Sequence, residues 1–188
     1  MQDIPVRMFR PHMCDIPTFD VPAGFRFRPF GRGDADLWVD VQAAANAQFM
    51  KITAETFRSE FGGQEHLLPE RSWFVVAPDR CDVGSITAWW IDSPDGSKGP
   101  VGTHGLIHWV AVLPEHQGKG IGKAMMTQAM RWLVRHYSTA LLNTSSGRTG
   151  AIKVYLDFGF VPDPTRPDSA AGWDYVRRTL PHAALGNA

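Results

Sequence analysis

One segment limits what this chain can fold into. HGLIHWVAVLP, residues 104–114, is apolar on both faces apart from its histidines, as a strand buried in the middle of a sheet must be. It runs almost directly into QGKGIGK, residues 117–123, after which the apolar period switches to that of a helix, with Ile121, Met125, Ala129 and Trp132 on one stripe. A strand covered on both faces needs neighbouring strands and helices above and below. The expected class is therefore α/β (α+β), a mixed sheet flanked by helices. In 188 residues there is room for one ordinary domain.

The rest of the chain supplies the other layers. Residues 1–24 carry prolines at 5, 11, 17 and 22, which predicts an extended N-terminal arm. Phe25 and Phe27 alternate with Arg26 and Arg28 in a strand ending at Pro29. Asp34 precedes a helix with Leu37, Trp38, Val41 and Ala45 on one face, and Thr53 opens a second with Phe57 and Phe61 as its stripe. Strands are expected over 72–77, 82–91, 139–143 and 173–180, a helix over 149–158, and a loop over 92–103. The domain proper is read as 25–181, and 182–188 as a tail free to fray.

Charge and cysteine content narrow the function. Nineteen Lys+Arg balance nineteen Asp+Glu, so there is no electrostatic footprint for nucleic acid. No apolar run is long enough for a bilayer, and MQDIPVRMFR lacks the pattern of a signal peptide; a cytoplasmic protein is expected. Cys14 and Cys81 allow no metal framework, and both are read as inert, small buried hydrophobes.

Glycines at 118, 120 and 122 bring bare backbone to the start of a helix. There the first amides lack partners and the helix dipole favours an anion, with Lys119 and Lys123 beside it. The Walker loop fails because Ala124 stands where Ser or Thr is required, and the dinucleotide fingerprint fails because Lys123 stands where the third glycine belongs. Gln117 to Gly122 instead matches Q/R-x-x-G-x-G/A. VAVLPEHQGKGIGKAMM thereby resembles motif A of the Gcn5-related N-acetyltransferases (GNAT). AIKVYLDFGF, residues 151–160, resembles the A-I-x-x-Y-x-x-x-G-F element of the same family.

The resemblance implies a centrally splayed sheet and an N-acetyltransferase that moves an acetyl group from acetyl-CoA directly to an amine. By similarity, the backbone of Val110, Ala111 and Val112 meets the pantetheine arm, and Gln117, Gly118, Lys119, Gly120, Ile121, Gly122 and Lys123 hold the diphosphate. It also implies that Tyr155 protonates the departing thiolate. The amine must first lose a proton, a task suited to histidine. His108 stands first and His104 second, with a core hydrogen-bonding role as the competing reading for each, and Glu115 is expected to face solvent. Arg148 replaces an asparagine that contacts CoA in many members; contact with a CoA phosphate, contact with the acceptor and solvation are its competing readings, and Thr144, Ser145 or Ser146 is the alternative source of the missing contact. Trp89 and Trp90 are expected on opposite faces of their strand, with one free to line the acceptor site. No metal, nucleic acid or membrane partner is expected, and the chain is read as a monomer or homodimer. A catalytically silent acyl-CoA sensor and a transferase using a longer acyl-CoA are the alternatives.

Overall fold

The computed structural model describes residues 3–91, 104–163, 165–166 and 169–186. The loop expected over 92–103 lies outside them. In chain order the elements are β1 (Pro5–Arg10), β2 (Arg26–Pro29), α1 (Ala35–Asn46), α2 (Ala54–Phe61), α3 (Leu68–Arg71), β3 (Ser72–Val76), β4 (Asp82–Ile91), β5 (His104–Val112), α4 (Ile121–Leu133), β6 (Ala140–Ser145), α5 (Thr149–Asp157), β7 (Val161–Pro162) and α6 (Ala170–Thr179). The strands form a seven-stranded mixed sheet in the order β2-β3-β4-β5-β6-β1-β7, as the expected fold class requires. By contacts the chain divides into two compact units, one of residues 18–88 and 107–132, the other of 1–17, 89–106 and 133–188.

In the first unit β2 and β4 pair antiparallel with the fully buried β3. The apolar stripes of α1 and α2 meet. The Trp38 ring lies edge-on to Phe57 at 5.3 Å and Phe61 at 5.5 Å, and Phe30 stacks between Phe57 and Phe74. One half of the α1 expectation fails: its buried face is Trp38, Val41, Gln42 and Asn46. Gln42 Nε2 donates to Ser85 Oγ at 3.0 Å and to the Trp109 carbonyl at 2.7 Å, and Asn46 Nδ2 donates to Gln42 Oε1 at 3.0 Å. These bonds satisfy polar groups that burial would otherwise leave unpaired. On α4, Ile121, Met125 and Ala129 are buried with Ala124, Met126, Met130 and Leu133. Trp132 is half-buried, with the Arg71 guanidinium 4.3 Å over its ring.

The second unit corrects three expectations. Residues 5–10 are extended, but they form a strand with β6 on one side and β7 on the other. The prolines permit it because Pro5 is its first residue and Pro11 follows its last. Val6, Met8 and Arg10 point inward, opposite Thr144, Leu142 and Ala140. The strand expected over 173–180 is instead helix α6, whose buried residues, Gly172, Trp173 and Val176, recur at helical spacing. Gly172 permits close approach to β1, since a Cβ there would stand 2.5 Å from a Val6 methyl. The tail is ordered differently from expectation too: Leu185 is buried in a 3-10 turn, and His182 Nε2 lies 3.2 Å from Asp157 Oδ1.

Gly84 carries a testable consequence for β5. A Cβ at this position of β4 would stand 2.8 Å from the Ala111 carbonyl oxygen and 3.3 Å from Met125 Sδ. Gly84→Ala is expected to lower stability by about 1–3 kcal/mol, read in urea as a lower midpoint at unchanged slope.

Candidate active site

The central feature of the first unit is where β5 ends. Trp109, at φ 49, has the left-handed conformation inside the strand, one that side chains disfavour. Its carbonyl is the one that Gln42 captures, and its ring packs against Trp38 at 5.1 Å. Val110 and Val112 are half-buried and Ala111 is buried. A 3-10 turn, Pro114–His116, follows, with Glu115 exposed as expected. Gln117 Nε2 donates to the Val112 carbonyl at 3.0 Å, tying the glycine turn back onto the strand.

Gly118 and Gly120 have φ of +75 and +85, conformations that side chains disfavour. A Cβ at 118, 120 or 122 would meet nothing within 4 Å, so the turn presents bare backbone to open space. Lys123 and Ala124 donate back to the Gly120 carbonyl at 3.1 and 3.2 Å. The amides before them belong to the orphan group at a helix start. Lys119 is exposed, while the Lys123 ammonium sits 4.9 Å from the Phe19 ring centroid.

His108 belongs to the same unit. Its Nε2 lies 2.9 Å from Glu60 Oε2, and its ring stands between those of Phe61 and Trp109, each 5.8 Å away by centroids. The bond to His108 holds the Glu60 carboxyl below its usual range, with the charge of His108 and the Trp109 side chain adding to the effect and burial opposing it. Glu60 was not legible beforehand. Its signal was its place between Phe57 and Phe61, at the edge of the apolar stripe of α2.

The second unit holds the remaining candidates. His104 Nδ1 is 2.5 Å from Thr139 Oγ1, with Phe9 edge-on at 5.9 Å. Burial lowers its pKa, Arg7 lowers it further and Asp163 opposes, so its imidazole is a weaker base than usual. Tyr155 is buried beside Phe160. Burial pushes its phenol up to about 12, with the Arg148 charge pulling the other way. Arg148 is half-buried at the start of α5. Ser146 is taken up by the residue before β1, its Oγ accepting from the Ile4 amide at 3.0 Å, whereas Ser145 Oγ is buried with no partner among the described residues. The glycine of the G-F element has a local reason: a Cβ on Gly159, at φ +75, would collide with the Arg10 guanidinium, which donates to the Phe158 and Cys14 carbonyls.

Two expectations need correction. Cys14 and Cys81 are free but exposed rather than buried. Asp79 raises the Cys81 pKa, which disfavours a nucleophilic thiolate. Trp89 and Trp90 are both buried and stack at 4.2 Å with planes 20° apart, so the rings cover each other rather than opposite faces. Among the described residues no cluster of His, Cys, Asp or Glu has the makings of a metal site, and no helix is long and apolar enough to cross a membrane.

The acetyltransferase (GNAT) family profile matches residues 38–160. The chain is similar to mycothiol acetyltransferases from Thermobispora bispora (26% identical; 82% of this chain, 52% of the relative) and Pseudarthrobacter chlorophenolicus (28% identical; 78% and 46%). It thus spans about half the length of the curated relatives it matches. Its fold is similar to that of a GCN5-related N-acetyltransferase from Sphaerobacter thermophilus, with TM-score 0.62, 22% identity, and coverage of 86% of this chain and 50% of that one. A GNAT-family acetyltransferase from Colwellia psychrerythraea also has TM-score 0.62, at 13% identity over 86% and 54% of the two chains.

The raised phenol has a pH signature. Unfolded, Tyr155 ionises near 10; folded, it resists until about 12. It therefore costs nothing below pH 10 and weakens the fold as pH rises through that window. Relative to Tyr155→Phe, the wild type is expected to lose about 2 kcal/mol between about pH 9 and about pH 12, measured by urea unfolding.

Proposed function

The chain belongs to the acetyltransferase (GNAT) family, and from that membership we propose that it is an N-acetyltransferase. It moves an acetyl group from acetyl-CoA directly to a primary amine of a small molecule or peptide. The observation that carries the reading is the glycine turn: left-handed backbone at 118 and 120 and empty space where three side chains would stand, at the start of α4. Main-chain amides in that setting suit a diphosphate, and Lys119 and Lys123 add charge. The relatives named mycothiol acetyltransferase support acetyl transfer as the reaction. A cytoplasmic setting agrees with two free cysteines.

Bound acetyl-CoA supplies the thioester; the chain's residues do the rest. An aliphatic amine with a pKa near that of lysine, about 10.4, is almost wholly protonated at neutral pH and cannot attack. His108 takes its proton. His104 is second in line, because burial weakens it as a base and Thr139 occupies its Nδ1. The backbone N–H of Val110 or Val112 faces the carbonyl oxygen as it gains charge. Tyr155 holds its proton at neutral pH and gives it to the departing sulfur.

Calorimetry with CoA and acetyl-CoA, followed by thiol release across a panel of primary amines, tests this reading. Heat with both ligands and amine-dependent release of free CoA are expected. Binding without release would mark an acyl-CoA-binding module; absence of heat from folded protein would end the reading. Tyr155→Phe is expected to lower kcat at least about a hundredfold with CoA affinity unchanged.

A further inference from the structure

Glu60 has no part in the chemistry above, yet it makes a close polar contact with the proposed base. We propose that Glu60 is a positioning residue: its carboxylate, 2.9 Å from His108 Nε2, holds the imidazole in the Nε2–H tautomer and leaves the Nδ1 lone pair for the acceptor's proton. The inference rests on the reading of His108 as that base.

The argument is one of donors and acceptors. An ionised carboxylate only accepts, so a hydrogen bond to it requires that Nε2 carry hydrogen. Glu60 is ionised at neutral pH, since the contact that fixes the imidazole also favours the charged carboxyl. Neutral imidazole has one N–H, and with that hydrogen on Nε2 the lone pair lies on Nδ1. The other groups against the ring are Phe61, from the same helix as Glu60, and Trp109, from β5. Neither titrates, so among the described residues Glu60 is the charged side chain facing His108. The two aromatic rings fix the plane of the imidazole, and Glu60 fixes which nitrogen faces which way. Side-chain exposures of 21% for His108 and 34% for Glu60 leave the pair within reach of an incoming molecule.

The carboxylate also favours the charged product of proton transfer. A proton leaves the ammonium of the acceptor for Nδ1, giving an imidazolium paired with Glu60. The freed nitrogen pair forms the bond to the thioester carbonyl. The carbon–sulfur bond then breaks, its electrons leave on sulfur, and Tyr155 protonates that sulfur. The nitrogen sheds its second proton to water as the amide forms, and water restores the tyrosine proton. The imidazolium returns its proton to water.

Full-length wild type, Glu60→Gln, Glu60→Asp and His108→Gln are compared with acetyl-CoA and the amine panel, and His108 is observed by 15N NMR of labelled protein. Glu60→Gln keeps the size of the side chain and removes its charge. It is expected to lower kcat/KM about tenfold or more. Heats of CoA binding should be unchanged, and Glu60→Asp should recover part of the activity. In wild type the NMR shifts should report hydrogen on Nε2, and in Glu60→Gln a mixture of tautomers. An unchanged kcat/KM with an unchanged tautomer in Glu60→Gln overturns the proposal while leaving His108 as base. Full turnover by His108→Gln overturns the reading of His108 itself. If no amine in the panel is turned over, hydrogen on Nδ1 in the wild type still refutes the role of Glu60.

Discussion

The hydrogen bond from the Gln42 amide to the Trp109 carbonyl is what the first unit is organised around. A left-handed residue within a strand turns its peptide group out of the ladder, and a buried carbonyl so displaced needs another donor. Gln42 supplies it from α1, while Asn46, one helical turn on, holds the far side of the Gln42 amide. The left-handed residue thus keeps its carbonyl paired inside the unit. His108 lies on one side of that residue and Val110–Val112 on the other, so proposed base and proposed ligand strand both depend on it. Gly84, free of a side chain, lets β4 run close to the same stretch.

The glycine turn was legible because it is a conformational demand. Where φ is positive, few residue types serve, and their spacing shows in the sequence. The stripes of α2 and α4 were legible for a related reason, since apolar residues at helical spacing have few other uses. Polar residues carry no such signal. Gln42 and Asn46 look like a solvent face until their partners are known, and those partners come from strands distant in sequence. Glu60 is the same case.

Two segments misled for physical reasons of their own. WDYVRR reads as alternation, but a helix buries Trp173 and Val176 together, and Gly172 is the residue that lets it lie against β1. The first twenty-four residues read as an arm because prolines usually end regular structure. Their placement is what matters: two of them bracket a six-residue strand without interrupting it. Its Arg10, 3% exposed, shows that a charge can point inward when carbonyls await it.

The clamp that Arg10 makes on the Phe158 carbonyl joins groups 148 residues apart in sequence. On a ribosome β1 emerges well before its neighbours β6 and β7 and the Gly159 notch. The nascent chain must therefore carry Val6, Met8 and Arg10 unsheltered until that later stretch is made. Formation of this half of the sheet waits on distant pairings, which fold slowly.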